Sequence, residues 1–348
     1  MKTTKIAPIC SIIPPHILEE IAKRGEPAQR DCALHNLSVT GFLRGRRHTL
    51  GFFPAAGTAG PKCRIVNDNK NQGGDPPAGV LVRREGDPSA NDPAVNEAYD
   101  GAGATYDLFK DIYERNSIDD KGMCIVSFVH YDADFDNAFW DGREMVYGDG
   151  DGTIFQGFTR CIDVIGHELT HGVTQYEANL AYINQPGALN ESMSDIFGSL
   201  VKQRVLNQTS DKADWLIGAG LFTSKINGQA LRSMKAPGTA YDDPLIGKDP
   251  QPADMKNYVK TTRDNGGVHI NSGIPNHAFY LASMEIGGYA WEKTGKIWYI
   301  ALRDHLRSMS GFKRAASATI NVAKDLYGEG SKEQKVVQNA WKAVGVIS

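Results

Sequence analysis

Residues 163–173 read DVIGHELTHGV, and the spacing of the two histidines in this stretch restricts the fold more than any other feature of the chain. On an α-helix successive residues advance by about 100°. Ile162, Ile165, Leu169 and Val173 then form one stripe, and His167, Glu168 and His171 gather on the opposite face. Histidines four apart can aim their ring nitrogens at one zinc ion, at about 2.0–2.1 Å. Two imidazoles do not close a tetrahedral site, so the fold must anchor this helix by its aliphatic stripe and bring a third ligand to it.

Two carboxylates compete for that position. Glu177 lies ten residues after His167, where a metzincin carries its last histidine beyond a helix-breaking glycine, but Thr174 stands at the glycine position and Glu177 is not a histidine. Glu191, in GALNESMSDIFGSLV, has better geometry. Leu189, Met193, Ile196, Phe197 and Leu200 share one helical face, and Glu191 and Asp195, four apart, point away from it together. A solvated acidic face with Lys202 beside it gives the same pattern.

A chain of 348 residues with 41% hydrophobic content exceeds one compact unit, and two lobes are expected. The net charge of -3 provides no basic footprint for nucleic acid, and no apolar run reaches the length of a membrane span. The charge is uneven: residues 1–50 carry eight Lys/Arg against four Asp/Glu, and the remainder 30 against 37. A basic head thus precedes an acidic body. Cys10, Cys32, Cys63, Cys124 and Cys161 are scattered without a CxxC, which reads as buried thiols rather than a disulfide framework.

PPHILEEIAKRG reads as a prolyl start, a short amphipathic helix and a glycine stop. From there to about residue 80, GRRHTLGFFPAAGTAGPK and NDNKNQGGDPPAG read as linker or long loop, with a boundary near 47–56. Strand-like CIVSFVHY and EMVYG, the turn GDGDG and the helical AVNEAYDGAGATYDLFKDIYERN describe a β-rich lobe. Beyond about residue 188 the apolar spacing is helical. DADFDNAFWDGR resembles a calcium loop through Asp132, Asp134 and Asp136, but Asn137 and Arg143 occupy the positions of the required glycine and glutamate.

HELTH followed by NESMSD, with NAFW upstream and DNGGVHINSGIPN downstream, resembles the thermolysin family of zinc endopeptidases from about residue 87 onward. PPHIL resembles the short propeptides of its protealysin-type branch. The resemblance implies an α+β, two-lobed fold: propeptide 1–50, a β-rich catalytic lobe 51–187 ending on the HExxH helix, and an α-helical lobe 188–348. It implies zinc held by His167, His171 and Glu191, with Asp195 and Asn190 orienting the histidines. Glu168 is then the general base, and His269, held by Asp264, and Tyr182 are donors to the oxyanion. Asn137, Ala138 and Arg232 would bind substrate backbone. Phe155, Phe158, Val164 and Leu231 would line the pocket for the residue after the cleaved bond, implying cleavage before bulky hydrophobic residues.

The family's calcium pair matches Asp163, Lys202, Asp214, Leu216 and Ala219 here; only two are acidic, so the double site is expected to be lost, with Lys202 replacing part of its charge. The pro-segment is expected to act as an intramolecular inhibitor, removed by self-cleavage near 47–56 at Leu50, Phe52 or Phe53. The function expected is a zinc-dependent neutral endopeptidase acting on proteins and peptides; the alternative is a catalytically silent zinc-binding interaction protein. A monomer is expected, secreted by a noncanonical route because the N-terminus makes a poor signal peptide, or else stored in the cytoplasm as the proenzyme.

Overall fold

A computed structural model describes residues 10–50, 60–74 and 77–348. The N-terminal segment contributes a two-residue strand, β1 (Cys10–Ser11), followed by α1 (Pro15–Arg24) and α2 (Pro27–Leu50). α1 obeys its local cues: a proline at its first position gives up no helical hydrogen bond, and Ile17, Leu18 and Ile21 are buried along one face. Gly25 ends it, donating its N–H to the Ile21 carbonyl. α2 corrects the linker expected at GRRHTL. Its interior glycines weaken the helical pattern, but its first half is fastened from outside: Asn36 donates to the Asp134 carbonyl at 3.1 Å and accepts from the Asp136 N–H at 2.8 Å. Of the expected cleavage stretch, Leu50 is the last residue of α2, and Phe52 and Phe53 lie outside the described residues.

The sheet runs β1-β5-β6-β4-β2-β3, with β2 (Arg64–Gln72), β3 (Val80–Arg84), β4 (Ile125–Tyr131), β5 (Ala138–Trp140) and β6 (Met145–Tyr147). β2 corrects the loop expected at NDNKNQ. It is sandwiched between β3 and β4, so its backbone groups are satisfied on both sides although its side chains are polar. The cysteine reading is also corrected: Cys63 and Cys124 form a disulfide across Cα atoms 4.7 Å apart. β2 and β4 are parallel and start in register at Arg64 and Ile125, which brings the preceding cysteines together across 61 positions of sequence. Cys32 and Cys161 are free thiols.

α3 (Pro93–Tyr113), capped by the Asp92 side chain, packs on the sheet and on α4 (Ile162–Tyr176). α5 (Asn184–Val205) runs antiparallel to α4. Short strand pairs follow, Leu216–Ile217 with Arg232–Ser233 and Asp242–Asp243 with Gly247–Lys248. The chain closes with α6 (Asp264–Asn271), α7 (Gly273–Ile286), α8 (Thr294–Ile300), α9 (Phe312–Tyr327) and α10 (Lys332–Ala343).

Candidate metal centre and substrate cleft

α4 is buried all round: Ile165, Leu169 and Val173 on one face, and His167, Glu168 and His171 on the other. α5 covers the polar face, and Glu191 and Asp195 on it are likewise buried, which excludes a solvated acidic face. Two glycines allow this contact. A Cβ on Gly198 would sit 2.4 Å from the Asp163 carbonyl and 2.9 Å from the His167 nitrogen, and the Cα of Gly198 lies 3.0 Å from the corresponding Cβ position on Gly166. Because the backbones meet so closely, the short Asp195 side chain reaches His167.

His167 Nδ1 is 2.8 Å from Asp195 Oδ1, and His171 Nδ1 is 2.8 Å from Asn190 Oδ1. Asn190 donates its amide to the Leu180 carbonyl, so its oxygen is the acceptor for His171. With both Nδ1 atoms protonated by these bonds, both Nε2 atoms present lone pairs in the neutral rings. They face each other at 3.0 Å, and the Glu191 oxygens stand 3.5 Å from each. Glu191 Oε2 is buried without a hydrogen-bond partner. Three lone-pair donors converging in a buried pocket repel one another unless a cation lies between them, and their chemistry fits zinc. Glu177 is elsewhere: it caps α4 and pairs with the buried Arg115.

Asp195 does more than hold His167. Arg232 engages it with Nε at 2.9 Å and Nη2 at 2.8 Å, and Asn276 on α7 donates to it at 2.9 Å. Burial alone would raise this carboxyl, but Arg232 and His167 bring it down to about 2. Asn276 was missed in the sequence. It closes the stretch HINSGIPN, yet an asparagine amide has no signature until its partner is known.

Glu168 Oε2 accepts the Trp140 N–H at 3.0 Å, while Oε1 is buried and unpartnered. Burial pushes its carboxyl up to about 8, with His167 acting in the opposite sense. His269 Nδ1 is 2.6 Å from Asp264 Oδ1, and its N–H donates to Asp264 Oδ2 at 2.9 Å. The turn between them needs positive φ at Gly266 (86°) and Gly267 (76°), and a Cβ at Gly266 would strike the Asn184 side chain at 2.1 Å. Burial would lower the His269 pKa, but Asp264 and Glu191 outweigh it and raise it. Tyr182 donates its hydroxyl to Glu191 and lies 3.1 Å from His269 Nε2.

The cleft beside these groups is filled by the N-terminal segment. β1 pairs antiparallel with the edge strand β5, Cys10 opposite Trp140 and Ser11 opposite Phe139. Ile12 donates to the Ala138 carbonyl at 3.1 Å, Ile13 donates to Asn137 Oδ1 at 3.1 Å, and Arg232 Nη1 donates to the Ile12 carbonyl at 3.2 Å. All three residues expected to bind substrate backbone are thus engaged. Phe155, Phe158, Val164 and Leu231 are buried in the same contiguous apolar cluster as Ile12.

Family models match three consecutive stretches of the chain: the protealysin propeptide over residues 10–39, the thermolysin metallopeptidase catalytic domain over 64–175, and its alpha-helical domain over 178–346. An extracellular metalloprotease of Pectobacterium carotovorum subsp. carotovorum is 50% identical over 343 residues, covering 98% of each chain. The chain belongs to the thermolysin family. Thermolysin of Alicyclobacillus acidocaldarius subsp. acidocaldarius is 45% identical over 265 residues, 73% of this chain and 46% of that one. The solved precursor of protealysin from Serratia proteamaculans superposes with a TM-score of 0.89 at 52% identity, covering 97% of this chain and 100% of that one. As a thermolysin-family member with a protealysin-type propeptide, the chain is a zinc-dependent neutral endopeptidase in its proenzyme form, and a silent binding protein is not favoured.

At the other end of the α4–α5 contact, Asp163 and Asp214 meet a lysine. Lys202 Nζ lies 3.1 Å from Asp163 Oδ2 and 2.8 Å from Asp214 Oδ2, and donates to the Leu216 carbonyl at 3.3 Å. An ammonium ion stands among the remaining acids.

Proposed function

We propose that His167, His171 and Glu191 hold the zinc of this endopeptidase and that Glu168 is its general base. The convergence of three lone-pair donors beside the unpartnered Glu168 Oε1 carries this reading. Zinc, when bound, supplies a Lewis acid with an open position that brings the pKa of a water to about 7. Glu168, fixed by the Trp140 N–H, takes the proton of the attacking water and passes it to the leaving amine. A divalent cation nearby draws the Glu168 pKa down and keeps it in the base form. His269, kept charged by Asp264, and Tyr182 donate to the oxygen that gains charge on the substrate carbonyl. Asn137, Ala138 and Arg232 align an extended substrate, and the pocket of Phe155, Phe158, Val164 and Leu231 selects bulky apolar side chains after the cleaved bond.

Digestion of casein by the processed enzyme, with peptides read by mass spectrometry, tests the assignment. Cleavage before Leu, Ile, Phe or Val that stops with chelator, and in Glu168→Gln, is expected. Activity in Glu168→Gln comparable to wild type would remove Glu168 from the role.

The enzyme acts outside the cell in this reading, as the names of its relatives suggest for them, and the Cys63–Cys124 disulfide suits an oxidising compartment. It works as a monomer. Its pro-segment inhibits it within the same chain by filling the cleft, and is removed near residues 47–56. The calcium pair is lost in this reading, with the Lys202 ammonium replacing part of its charge.

A further inference from the structure

The pro-segment fills the cleft in a particular register. The Ser11 carbonyl accepts from His269 Nε2 at 3.1 Å, and that nitrogen is 3.6 Å from Glu191 Oε1. The next nitrogen, that of Ile12, is held by the Ala138 carbonyl; the next carbonyl is held by Arg232; the next N–H goes to Asn137. The Ile12 side chain is fully buried. A carbonyl at His269, a leaving nitrogen on the edge strand and an apolar side chain just after the bond are the arrangement that hydrolysis of a peptide requires.

We propose that Ser11–Ile12 is a cleavage site of this enzyme, cut within the intact proenzyme, and that the segment from Ile12 onward stays in place afterwards as the inhibitor. The inference rests on the roles given above to Glu168 and the zinc ligands. In the step, one water is consumed. Its oxygen bonds to the Ser11 carbonyl carbon, the bond from that carbon to the Ile12 nitrogen breaks, and the proton taken by Glu168 passes to that nitrogen. The products are a Ser11 carboxylate and an Ile12 amine; nothing is oxidised or reduced.

The anchors explain why the cut does not release the inhibitor. Beyond the bond, Ile13, Ile17, Leu18 and Ile21 are buried, His16 meets the Tyr241 hydroxyl at 2.9 Å, and Arg24 donates to the Pro244 carbonyl at 3.1 Å. Glu19 pairs with Arg263, and α2 is fastened to residues 132–136 by His35 and Asn36. Pro14, extended at φ -63°, stiffens the chain between cleft and helix. Before the bond, the described residues are Cys10 and Ser11, paired with β5 and met by His269 at the Ser11 carbonyl. Cleavage therefore separates residues 1–11 from the anchored segment and leaves Ile12 at the Ala138 carbonyl, so that activity awaits the later loss of α1 and α2.

The test is a time course of intact masses for the full-length protein and for Glu168→Gln, with casein digestion followed in parallel. Expected is an amino terminus at Ile12, formed at a rate independent of protein concentration, before casein activity rises, and absent in Glu168→Gln. Ile12→Leu should keep this cut, and Ile12→Asp should slow it about tenfold or more. Pro-segment fragments that all begin at Met1 or Lys2, alongside normal casein activity, would overturn the cleavage site while leaving the enzyme's mechanism intact. Absence of chelator-sensitive casein activity would overturn the mechanism, and the cleavage site with it.

Discussion

The contact between α4 and α5 buries acidic groups at both ends, and the two ends neutralise them differently. At one, Glu191 faces two imidazole lone pairs with no cationic side chain among the three, an arrangement that fits an ion from outside. At the other, Asp163 receives the ammonium of Lys202 from the chain itself. Burial raises the Asp163 pKa against the pull of Lys202, while Asp163 and Asp214 outweigh burial and raise that of Lys202. A built-in cation uses up its coordination in holding the fold. An external ion bound by three ligands keeps a position open for chemistry. Asp136, beneath α2, shows a third solution: burial and then Asp151 raise its carboxyl to about 8, which favours the protonated form.

The largest effect separates the chemistry from the ion. Glu168→Gln should lower kcat/KM about 10²–10⁴-fold with zinc content by atomic absorption unchanged. Parallel loss of zinc would mean that the side chain belongs to the metal's support. At the other end, Lys202→Met should cost about 3–5 kcal/mol in denaturant unfolding, because Asp163 is left buried without its partner. Adding Asp163→Asn should recover most of that loss, and failure to do so would dissolve the contrast between the ends. Next, Asp195→Asn should weaken zinc about 10–100-fold in competition with a chelator, since His167 loses a charged acceptor.

The proton at Asp136 predicts a smaller, pH-dependent effect. Its pKa in the folded chain lies above the ordinary 3.8, so its stabilisation is complete below about pH 4 and is lost as pH rises toward 8. The slope from one such group is at most about 1.4 kcal/mol per pH unit. Asp136→Asn should flatten the unfolding profile over that window, whereas a profile parallel to wild type would assign the proton elsewhere. Asp134, Asp151 and Cys32 face the same carboxyl, and the variant isolates its share. The smallest expectation is a null: millimolar calcium should leave the wild-type Tm unmoved, and a rise would show that the Lys202 end still takes an ion.

Much of the site was legible because its decisive spacings lie within single helices. His167 to His171 and Glu191 to Asp195 are each one turn apart, and a period of 3.6 residues dictates that they share a face. α1, α3 and the helices of the second lobe announced themselves similarly. β2 did not, because its stability comes from strands on both sides rather than from its own polar side chains. α2 did not, because it is fastened by residues about a hundred positions away. The Cys63–Cys124 disulfide depends on strand register, which nothing near either cysteine encodes.

The sequence by itself determined which helix faces carry His167, Glu168 and His171, and Glu191 and Asp195, since one turn of helix sets those positions whatever surrounds it. Tertiary structure decided that Asp195 is shared among His167, Arg232 and Asn276, and that Lys202 falls between Asp163 and Asp214. It also decided that the Ser11 carbonyl meets His269 and the Ile12 nitrogen the Ala138 carbonyl. Each of these joins elements whose mutual placement follows from long-range burial and strand pairing, which local periodicity does not contain.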